Sequence, residues 1–513
     1  MSETIPPPNL VGEILGDQNR KKRRPDPCAI VIFGATGDLA GRKLAPALYN
    51  VMLDKSISDP TMIIGVSRGQ IPVKDLAAKF HDGVAEFSRQ KLQPAAWDKF
   101  VSMLDYVGGE FADDATYVAL KAKLEQAKAK GTRGNRLFYF ATPPAVFSLI
   151  LEKLSQHGLI EHGTGVGHEN TCRVIVEKPF GRNFATATEL NDLIAKHLDE
   201  SQIFRIDHYL GKETVQNILV LRFGNSIFEP IWNRNHVDYV EITAAESIGI
   251  EGRGAFYEST GVVRDIIQNH LLQVLSLVTM EVPASFNADD IRDEKSQVLR
   301  SVRNPTLVDV ATECVRGQYR GYRDEPGVAK NSQTPTYAAM RFMIDSWRWQ
   351  GVPFYLRAGK KMTERLTEVA IHFKAVPLML FKEEAAGSVL QPAVLTLTIQ
   401  PHEGISLRFA AKVPGDNIEV GNVHMNMTYA DAFKRPIAEA YERLLLDCMR
   451  GDATLFNRRD AVDRAWALID PVLQIWDASP GVELYEPGSA GPASANEMIQ
   501  RDGHAWRELT PGG

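Results

Sequence analysis

The sequence predicts two domains of different class: an α/β domain on a parallel sheet up to about Phe204, then a larger α+β domain with a mainly antiparallel sheet. Two observations carry this division. Before residue 204, buried apolar strands alternate with helical stretches, as in a doubly wound sheet with crossover helices. Beyond it, strand-like stretches follow one another without helical crossovers, which antiparallel neighbours allow and parallel ones do not.

Residues 1–26 read as a flexible tail, polar and proline-containing, with the basic run Lys21-Lys22-Arg23-Arg24 near its end. That run is a solvated tail, an address or a nucleic-acid patch; its polar, proline-bearing surroundings favour the first. The first domain covers residues 27–204. Its opening strand, residues 28–33, is a continuous apolar run ending at glycine, the signature of a strand buried on both faces. Residues 44–53 read as a helix, 62–66 as the second strand, 112–130 as a charged surface helix, and 137–141 and 173–176 as later strands. In the second domain, residues 205–490, the stretches 238–245, 336–344, 352–357, 367–373, 393–400 and 405–411 have strand character. The last two are joined by the short turn Pro401-His402-Glu403-Gly404, and helices at 433–449 and 460–476 are expected to cover or flank the sheet. From Gly488 onward Gly, Ala and Ser are frequent, so residues 491–513 are expected to be a loosely held C-terminal tail.

Composition excludes several function classes. The 513 residues are 44% hydrophobic and 24% charged, an ordinary globular balance, and the formal net charge of −6 argues against a protein wrapped in nucleic acid. The four cysteines, Cys28, Cys172, Cys314 and Cys448, show no paired spacing, which speaks against a disulfide framework or a cysteine-type zinc site. No apolar run approaches the ~18 residues needed to span a bilayer, and no signal-peptide block opens the chain. A cytoplasmic protein without membrane or nucleic-acid partners is the simplest expectation.

After the first strand comes Gly34-Ala35-Thr36-Gly37-Asp38-Leu39-Ala40-Gly41, opening a helix. Glycines there permit a tight turn and close backbone approach to a pyrophosphate at a helix N-terminus, so the domain reads as Rossmann-like and dinucleotide-binding. The spacing is G-x-x-G, a departure from G-x-G-x-x-G, and its placement after a buried strand carries the reading. At the end of the second strand, where an NAD site usually has an acid, this chain has Ser67-Arg68-Gly69. An arginine fork matches a 2′-phosphate, which favours NADP, while a merely exposed strand-end cation is the other reading. Ala141-Thr142-Pro143-Pro144 ends a strand on the ligand-bearing side of such a sheet.

Val176-Glu177-Lys178-Pro179 ends another strand on that side, and the proline holds Lys178 extended. Lys178 touches cofactor, substrate or both, or simply caps the strand. In Arg205-Ile206-Asp207-His208-Tyr209-Leu210-Gly211-Lys212-Glu213, a strand delivers an acid and a histidine, and a lysine stands where a helix begins. A cation is out of place at a helix start unless it shares an anionic guest with the backbone N–H groups, so the stretch reads as a phosphate pocket beside an acid/base site. The apolar run 261–278 is interrupted by Arg264, Asp265, Gln268, Asn269, His270 and Gln273. A buried helix with those polar groups implies a polar cavity or network. In α-helical geometry Asp265 and Asn269 share a face and His270 lies about 100° further round, so Asp265 is not its obvious orienter. Glu246 and Lys360, at the ends of strands, are charged caps that read either as site residues or as solvated termini.

Residues 34–43, 177–181, 205–213, 264–273 and 357–360, in this order, resemble the glucose-6-phosphate dehydrogenase family, whose signature is the stretch at Arg205. The likeness runs from about Pro27 to beyond Trp476. It implies NADP-dependent oxidation of D-glucose 6-phosphate at C1 to 6-phospho-D-glucono-1,5-lactone with formation of NADPH. This is the first oxidative step of the pentose phosphate pathway, and it also feeds the Entner-Doudoroff route where present. It implies His270 as the general base and Asp207 as its orienting partner. His208, Tyr209 and Lys212 would hold the sugar phosphate, and Lys178, Glu246, Asp265 and Lys360 would complete the sugar site. Gly34, Thr36, Gly37, Asp38, Leu39 and Arg68, with Lys178, would contact NADP. No metal is implied, since the nicotinamide carries the hydride chemistry, and a homodimer or homotetramer is expected. Some members carry a second, structural NADP site with a basic residue after the arginine matching Arg365; here Leu366 stands there. Two rivals are an oxidoreductase for an unphosphorylated sugar, which would not need His208 and Lys212 as an anion pair, and an NADP-sensing regulator with a dead site.

Overall fold

The computed structural model describes residues 24–163, 170–378, 380, 391–416, 418–434, 436–479 and 481–509. The basic run lies outside them except for Arg24, which is exposed. The chain divides into two compact units, one of Met1–Lys178, Asp192–Ile206 and Tyr441–Leu455, the other of Pro179–Asn191, Asp207–Ala440 and Phe456–Gly513. The boundary after Ile206 lies close to the expected one at residue 204, but each unit also borrows a segment from the other side of it.

In the first unit six parallel strands, β1 (Ala29–Phe33), β2 (Met62–Ser67), β3 (Leu104–Gly108), β4 (Arg136–Phe140), β5 (Cys172–Val176) and β6 (Ile203–Ile206), run in the order β6-β5-β4-β1-β2-β3. That is the doubly wound Rossmann order, with its topological switch between β1 and β4. Every residue of β1, β2 and β5 is buried, as a strand covered by helices on both faces demands. The helix Asp114–Ala127 turns Tyr117, Leu120, Leu124 and Ala127 inward, a single stripe at helical spacing, and leaves its charged residues outside.

The helix Ala440–Arg450 corrects the expectation that residues 433–449 form one helix serving the antiparallel sheet. From Tyr441 it belongs to the first unit, where Asn50 Nδ2 and Arg89 Nε donate to Glu442 Oε1 at 3.0 and 2.8 Å and Arg173 Nη1 donates to the Met449 carbonyl at 3.0 Å. Glu442 is buried, and a buried carboxylate goes where its partners are. The preceding piece, Tyr429–Phe433, is a separate short helix ended by Lys434 in the left-handed region.

The second unit is built on β7 (Val237–Ala245), β8 (Cys314–Tyr319), β9 (Tyr337–Met343), β10 (Pro353–Gly359), β11 (Leu366–Phe373), β12 (Val394–Gln400), β13 (Gly404–Lys412) and β14 (Val420–Thr428). They run in the order β14-β13-β12-β11-β7-β10-β9-β8, followed by the short strand Glu483–Tyr485. All pairings are antiparallel except β7 with β10 and Glu483–Tyr485 with β8. β10 is buried throughout, β11 nearly so, and β14 carries a run of exposed residues. The strands β8 and β14 were not expected from the sequence.

The chain end also differs from the expected loose tail. Residues Ala493–Gln500 form a helix, and the segment after it is pinned to the sheet. Arg507 N–H donates to Glu241 Oε2 at 3.0 Å, its Nε donates to Glu368 Oε1 at 3.1 Å, and the Arg357 guanidinium lies 4.4 Å from the centre of the Trp506 ring. The buried Glu368 needs a cation, and the Arg507 guanidinium supplies it, while the buried Glu241 accepts the Arg507 backbone N–H; composition alone does not show such a pairing.

Candidate active site

Each unit contributes one candidate site. In the first, β1 runs into Gly34 at φ 83°, and a Cβ there would stand 2.5 Å from the carbonyl oxygen of Ala141, just past β4. Only glycine fits this close approach. The turn is tied by Gly37 N–H donating to the Gly34 carbonyl at 2.9 Å and Thr36 N–H to Ser67 Oγ at 3.1 Å. Helix begins at Asp38, so the turn opens onto a helix N-terminus at the switch point of the sheet. Gly37 and Asp38 are exposed, while Gly34, Thr36 and Leu39 are half-buried. On the same rim the Thr142 hydroxyl is buried without a hydrogen-bond partner among the described residues. A cradle with no room for a side chain, a helix start and a buried hydroxyl in need of a partner fit the pyrophosphate of a dinucleotide. Arg68 is exposed directly after β2, and the backbone beyond it is fixed by Tyr106 Oη donating to the Gly69 carbonyl at 2.8 Å. It fits a ribose 2′-phosphate.

Lys178 stands half-buried after β5, next to Glu177. Glu177 Oε1 accepts from the hydroxyls of Tyr139 at 2.5 Å and Tyr441 at 3.2 Å. Burial pushes the Glu177 carboxyl up, and the two hydroxyls and the Lys178 charge only partly offset it. These bonds fix the backbone from which Lys178 projects.

In the second unit the chain leaves β6 and places Asp207 and Tyr209 in the interior, with His208 and Lys212 half-buried between them and the helix Glu213–Phe223. Lys212 is the N-cap of that helix, the position its charge makes anomalous. His270 Nδ1 and Asp207 Oδ1 are 2.5 Å apart, both side chains fully enclosed, and the same oxygen accepts the Tyr209 N–H at 2.9 Å. Burial pushes the Asp207 carboxyl up, but the His270 charge and hydrogen bond, the His208 charge and the Tyr209 N–H together hold it well below the usual carboxylate range. The Tyr209 ring stacks on His270 at 4.2 Å, and the His208 ring meets His270 edge-on at 4.5 Å. Lys212 Nζ lies 5.0 Å from the centre of the Tyr209 ring and donates to Gln400 Oε1. Lys360 Nζ donates to Glu246 Oε2 and lies 5.7 Å from the centre of the Tyr257 ring. Burial raises the Tyr209 phenol, which the Thr367 hydroxyl opposes while the carboxylates of Glu246, Asp207 and Asp265 raise it further, so these groups share one electrostatic neighbourhood.

The cluster Asp207, His208, Tyr209, Lys212, Glu246, Asp265, His270 and Lys360 therefore assembles within one unit. The local geometry around His270 differs from the expected α-helix: Val263–Leu271 is a π-helical stretch, in which Asn269 Nδ2 reaches back to the Arg264 carbonyl at 3.1 Å and Asn269 Oδ1 accepts the His270 N–H at 2.6 Å. The wider turn changes every angular relation along it, and such stretches gather at functional sites. Gln400 and Thr367 were missed by sequence reasoning. The available signal was a glutamine closing an otherwise apolar-and-threonine strand immediately before the Pro401 turn.

Fold and sites together define a two-domain, dinucleotide-dependent oxidoreductase. Family models describe the same halves: the glucose-6-phosphate dehydrogenase NAD binding domain matches residues 31–217, and the glucose-6-phosphate dehydrogenase C-terminal domain matches residues 219–507. The chain belongs to the glucose-6-phosphate dehydrogenase family. It is 44% identical over 515 residues to a glucose-6-phosphate 1-dehydrogenase of Chlamydia pneumoniae, covering 98% of this chain and 100% of that one. It is 45% identical over 491 residues to that of Aggregatibacter actinomycetemcomitans, covering 94% and 97%. A solved glucose-6-phosphate dehydrogenase in complex with glucose 6-phosphate superposes with a TM-score of 0.85 at 35% identity, over 95% of this chain and all of the other.

Proposed function

We propose that this chain oxidises D-glucose 6-phosphate at C1, with NADP as hydride acceptor, giving 6-phospho-D-glucono-1,5-lactone and NADPH. The observation that carries the reading is the Asp207–His270 pair lying against His208 and Tyr209, with Lys212 beyond the Tyr209 ring. His270 takes the proton of the C1 hydroxyl, and the C1 hydrogen with its electron pair would pass to the nicotinamide when it is bound. Asp207, ionised and bonded to Nδ1, fixes the ring so that Nε2 is the basic atom and stabilises the imidazolium that forms. His208, Tyr209 and Lys212 hold the phosphate, the lysine sharing it with the helix start. Glu246, Asp265, Lys360 and Lys178 bind the sugar. Gly34, Thr36, Gly37, Asp38, Leu39 and Arg68, with Lys178, hold NADP; when bound, the nicotinamide supplies the hydride chemistry. In this reading residues 27–204 serve the nucleotide and 205–490 the sugar.

The same reading includes self-association as a homodimer or homotetramer. It is supported by the outer strand β14, which exposes Val423 and Met425 at the end of the large sheet. A cytoplasmic setting is supported by four free cysteines, and no described helix is long and apolar enough to cross a membrane.

The test is absorbance at the nicotinamide band with glucose 6-phosphate and NADP, with NAD and free glucose as parallel arms. Turnover on the phosphate ester with NADP is expected. Equal turnover on free glucose would replace the phosphate reading, and intact NADP-binding protein without NADPH formation would reject the enzyme.

A further inference from the structure

Strands β11 and β12 fall out of step at one end. From His372 opposite Val394 to Glu368 opposite Thr398 they pair in regular register, and then Thr367 stands opposite Gln400, so that Ile399 is an extra residue on β12. Bulges of this kind re-aim side chains and are frequent beside functional sites. Regular register would set Gln400 against Leu366; the bulge sets it against Thr367, and residues directly opposite in an antiparallel pair share a face of the sheet.

Both residues at the bulge reach the helix Glu213–Phe223. The carbonyl of Ile399 accepts the Thr214 hydroxyl at 3.3 Å, and Gln400 Oε1 accepts the Lys212 ammonium. Lys212 is the N-cap of that helix and Thr214 its second residue, so the end of β12 holds the helix start from which the phosphate is gripped. Thr367 completes the arrangement. A lysine has only donors, so it takes the amide oxygen of Gln400 and leaves the amide nitrogen in need of an acceptor. Thr367 Oγ1 is that acceptor, at 3.0 Å. Thr367 is 1% exposed, on a strand enclosed between β12 and β7. Packing in such a place is met equally well by valine, so the hydroxyl answers to Gln400. Lys212 Nζ also lies 5.0 Å from the centre of the Tyr209 ring, whose phenol burial raises and the Thr367 hydroxyl lowers.

We propose that Thr367 is a positioning residue for the substrate phosphate: its hydroxyl holds the Gln400 amide, seated by the bulge, in the one orientation that offers Lys212 an oxygen. The proposal rests on the assignment of Lys212 to the phosphate made above. An amide turned over would set its N–H groups against an ammonium, donor against donor, and Lys212 would lose its anchor. A lysine held before the substrate arrives is spared the ordering of a long flexible side chain at binding. The arrangement acts on the phosphate end of the sugar and not on C1, so its effect belongs in KM.

The experiment compares Thr367→Val, which keeps the shape and removes the hydroxyl, with Thr367→Ser, which keeps the hydroxyl, in the full chain, alone and combined with Lys212→Ala. Thr367→Val is expected to raise KM for glucose 6-phosphate about fivefold, with kcat and KM for NADP within about twofold of the parent. Thr367→Ser is expected to bring KM back to within about twofold. In the Lys212→Ala background Thr367→Val is expected to have no further effect, because the ammonium it acts through is gone. Thermal unfolding checks that each variant is folded; should Thr367→Val fail to fold, Thr367→Ala carries the same comparison. An unchanged KM for glucose 6-phosphate, a rise that Thr367→Ser does not reverse, a parallel rise in KM for NADP, or an equal rise with and without Lys212 would overturn the role of Thr367. If Lys212→Ala itself leaves KM for glucose 6-phosphate unchanged, the assignment of Lys212 to the phosphate falls, and Thr367 with it.

Discussion

In the first unit the candidate ligand groups belong mostly to the backbone: the helix start at Asp38, behind a turn that admits no Cβ at Gly34 and whose own N–H groups are tied internally, all within one short stretch of chain. In the second they are side chains from 207–212, 246, 265–270 and 360, with Gln400 behind Lys212. A backbone cradle is set by conformation and tolerates most changes around it. A side-chain cluster concentrates each task on one group, so single substitutions should split its functions cleanly.

The sharpest expected effect is therefore in the second unit. His270→Asn keeps a hydrogen-bonding group toward Asp207 and removes the base. It is expected to lower kcat by about 10²- to 10⁴-fold with KM for the sugar phosphate near the parent value, read from steady-state kinetics on folded protein. A variant keeping most of its kcat would take His270 out of the base role and break the comparison at its strongest point.

Next in size is Lys212→Ala. Its ammonium is placed to meet an anion at the start of the helix Glu213–Phe223, and a charge-assisted contact of this kind is worth about 1.5–3 kcal/mol. KM for glucose 6-phosphate is expected to rise roughly 10- to 100-fold while kcat changes little. An unchanged KM would move the phosphate elsewhere.

How far each site can be read from sequence follows the same contrast. The cradle is continuous, so the buried run 28–33, the glycine after it and the helix behind it locate it without a structure, and Arg68 follows from the end of β2. The nonapeptide at Arg205 is also continuous, and its misplaced lysine is legible because a helix start is a poor place for a cation. What joins distant segments is not. The 2.5 Å pairing of Asp207 with His270 spans 63 positions, and neither periodicity nor spacing encodes it; only the family resemblance pointed there. Angular reasoning about Asp265 and His270 assumed α-helix, whereas Val263–Leu271 is a π-helical stretch in which the Asn269 side chain donates to the Arg264 carbonyl. The helix from Tyr441 went to the first unit because Glu442 finds Asn50 and Arg89 there, and the chain end is held because Arg507 meets Glu241 and Glu368. Each case is a buried charge whose partner is remote in sequence. β14 was legible although not expected: Val423, Met425 and Met427 alternate with His424, Asn426 and Thr428, the period-two pattern of a strand.

The smallest expected effect tests the one place where the backbone site relies on a side chain. Arg68 is exposed, so its interaction with a 2′-phosphate is partly screened by water and salt. The loop bearing it is held independently, by Tyr106 Oη on the Gly69 carbonyl and by Gln70 Nε2 donating to the Gly108 carbonyl at 2.6 Å. Arg68→Ala should therefore leave the cradle intact and remove only the charge. KM for NADP is expected to rise by about tenfold and KM for NAD to stay unchanged, so the ratio of kcat/KM values falls toward NAD by that factor. Because the lost term is electrostatic, the difference between parent and variant should shrink as ionic strength is raised from low salt toward 1 M. Equal losses with NADP and NAD would mean that Arg68 supports the turn itself, and the division between a backbone cradle and a side-chain cluster would then fail in the first unit.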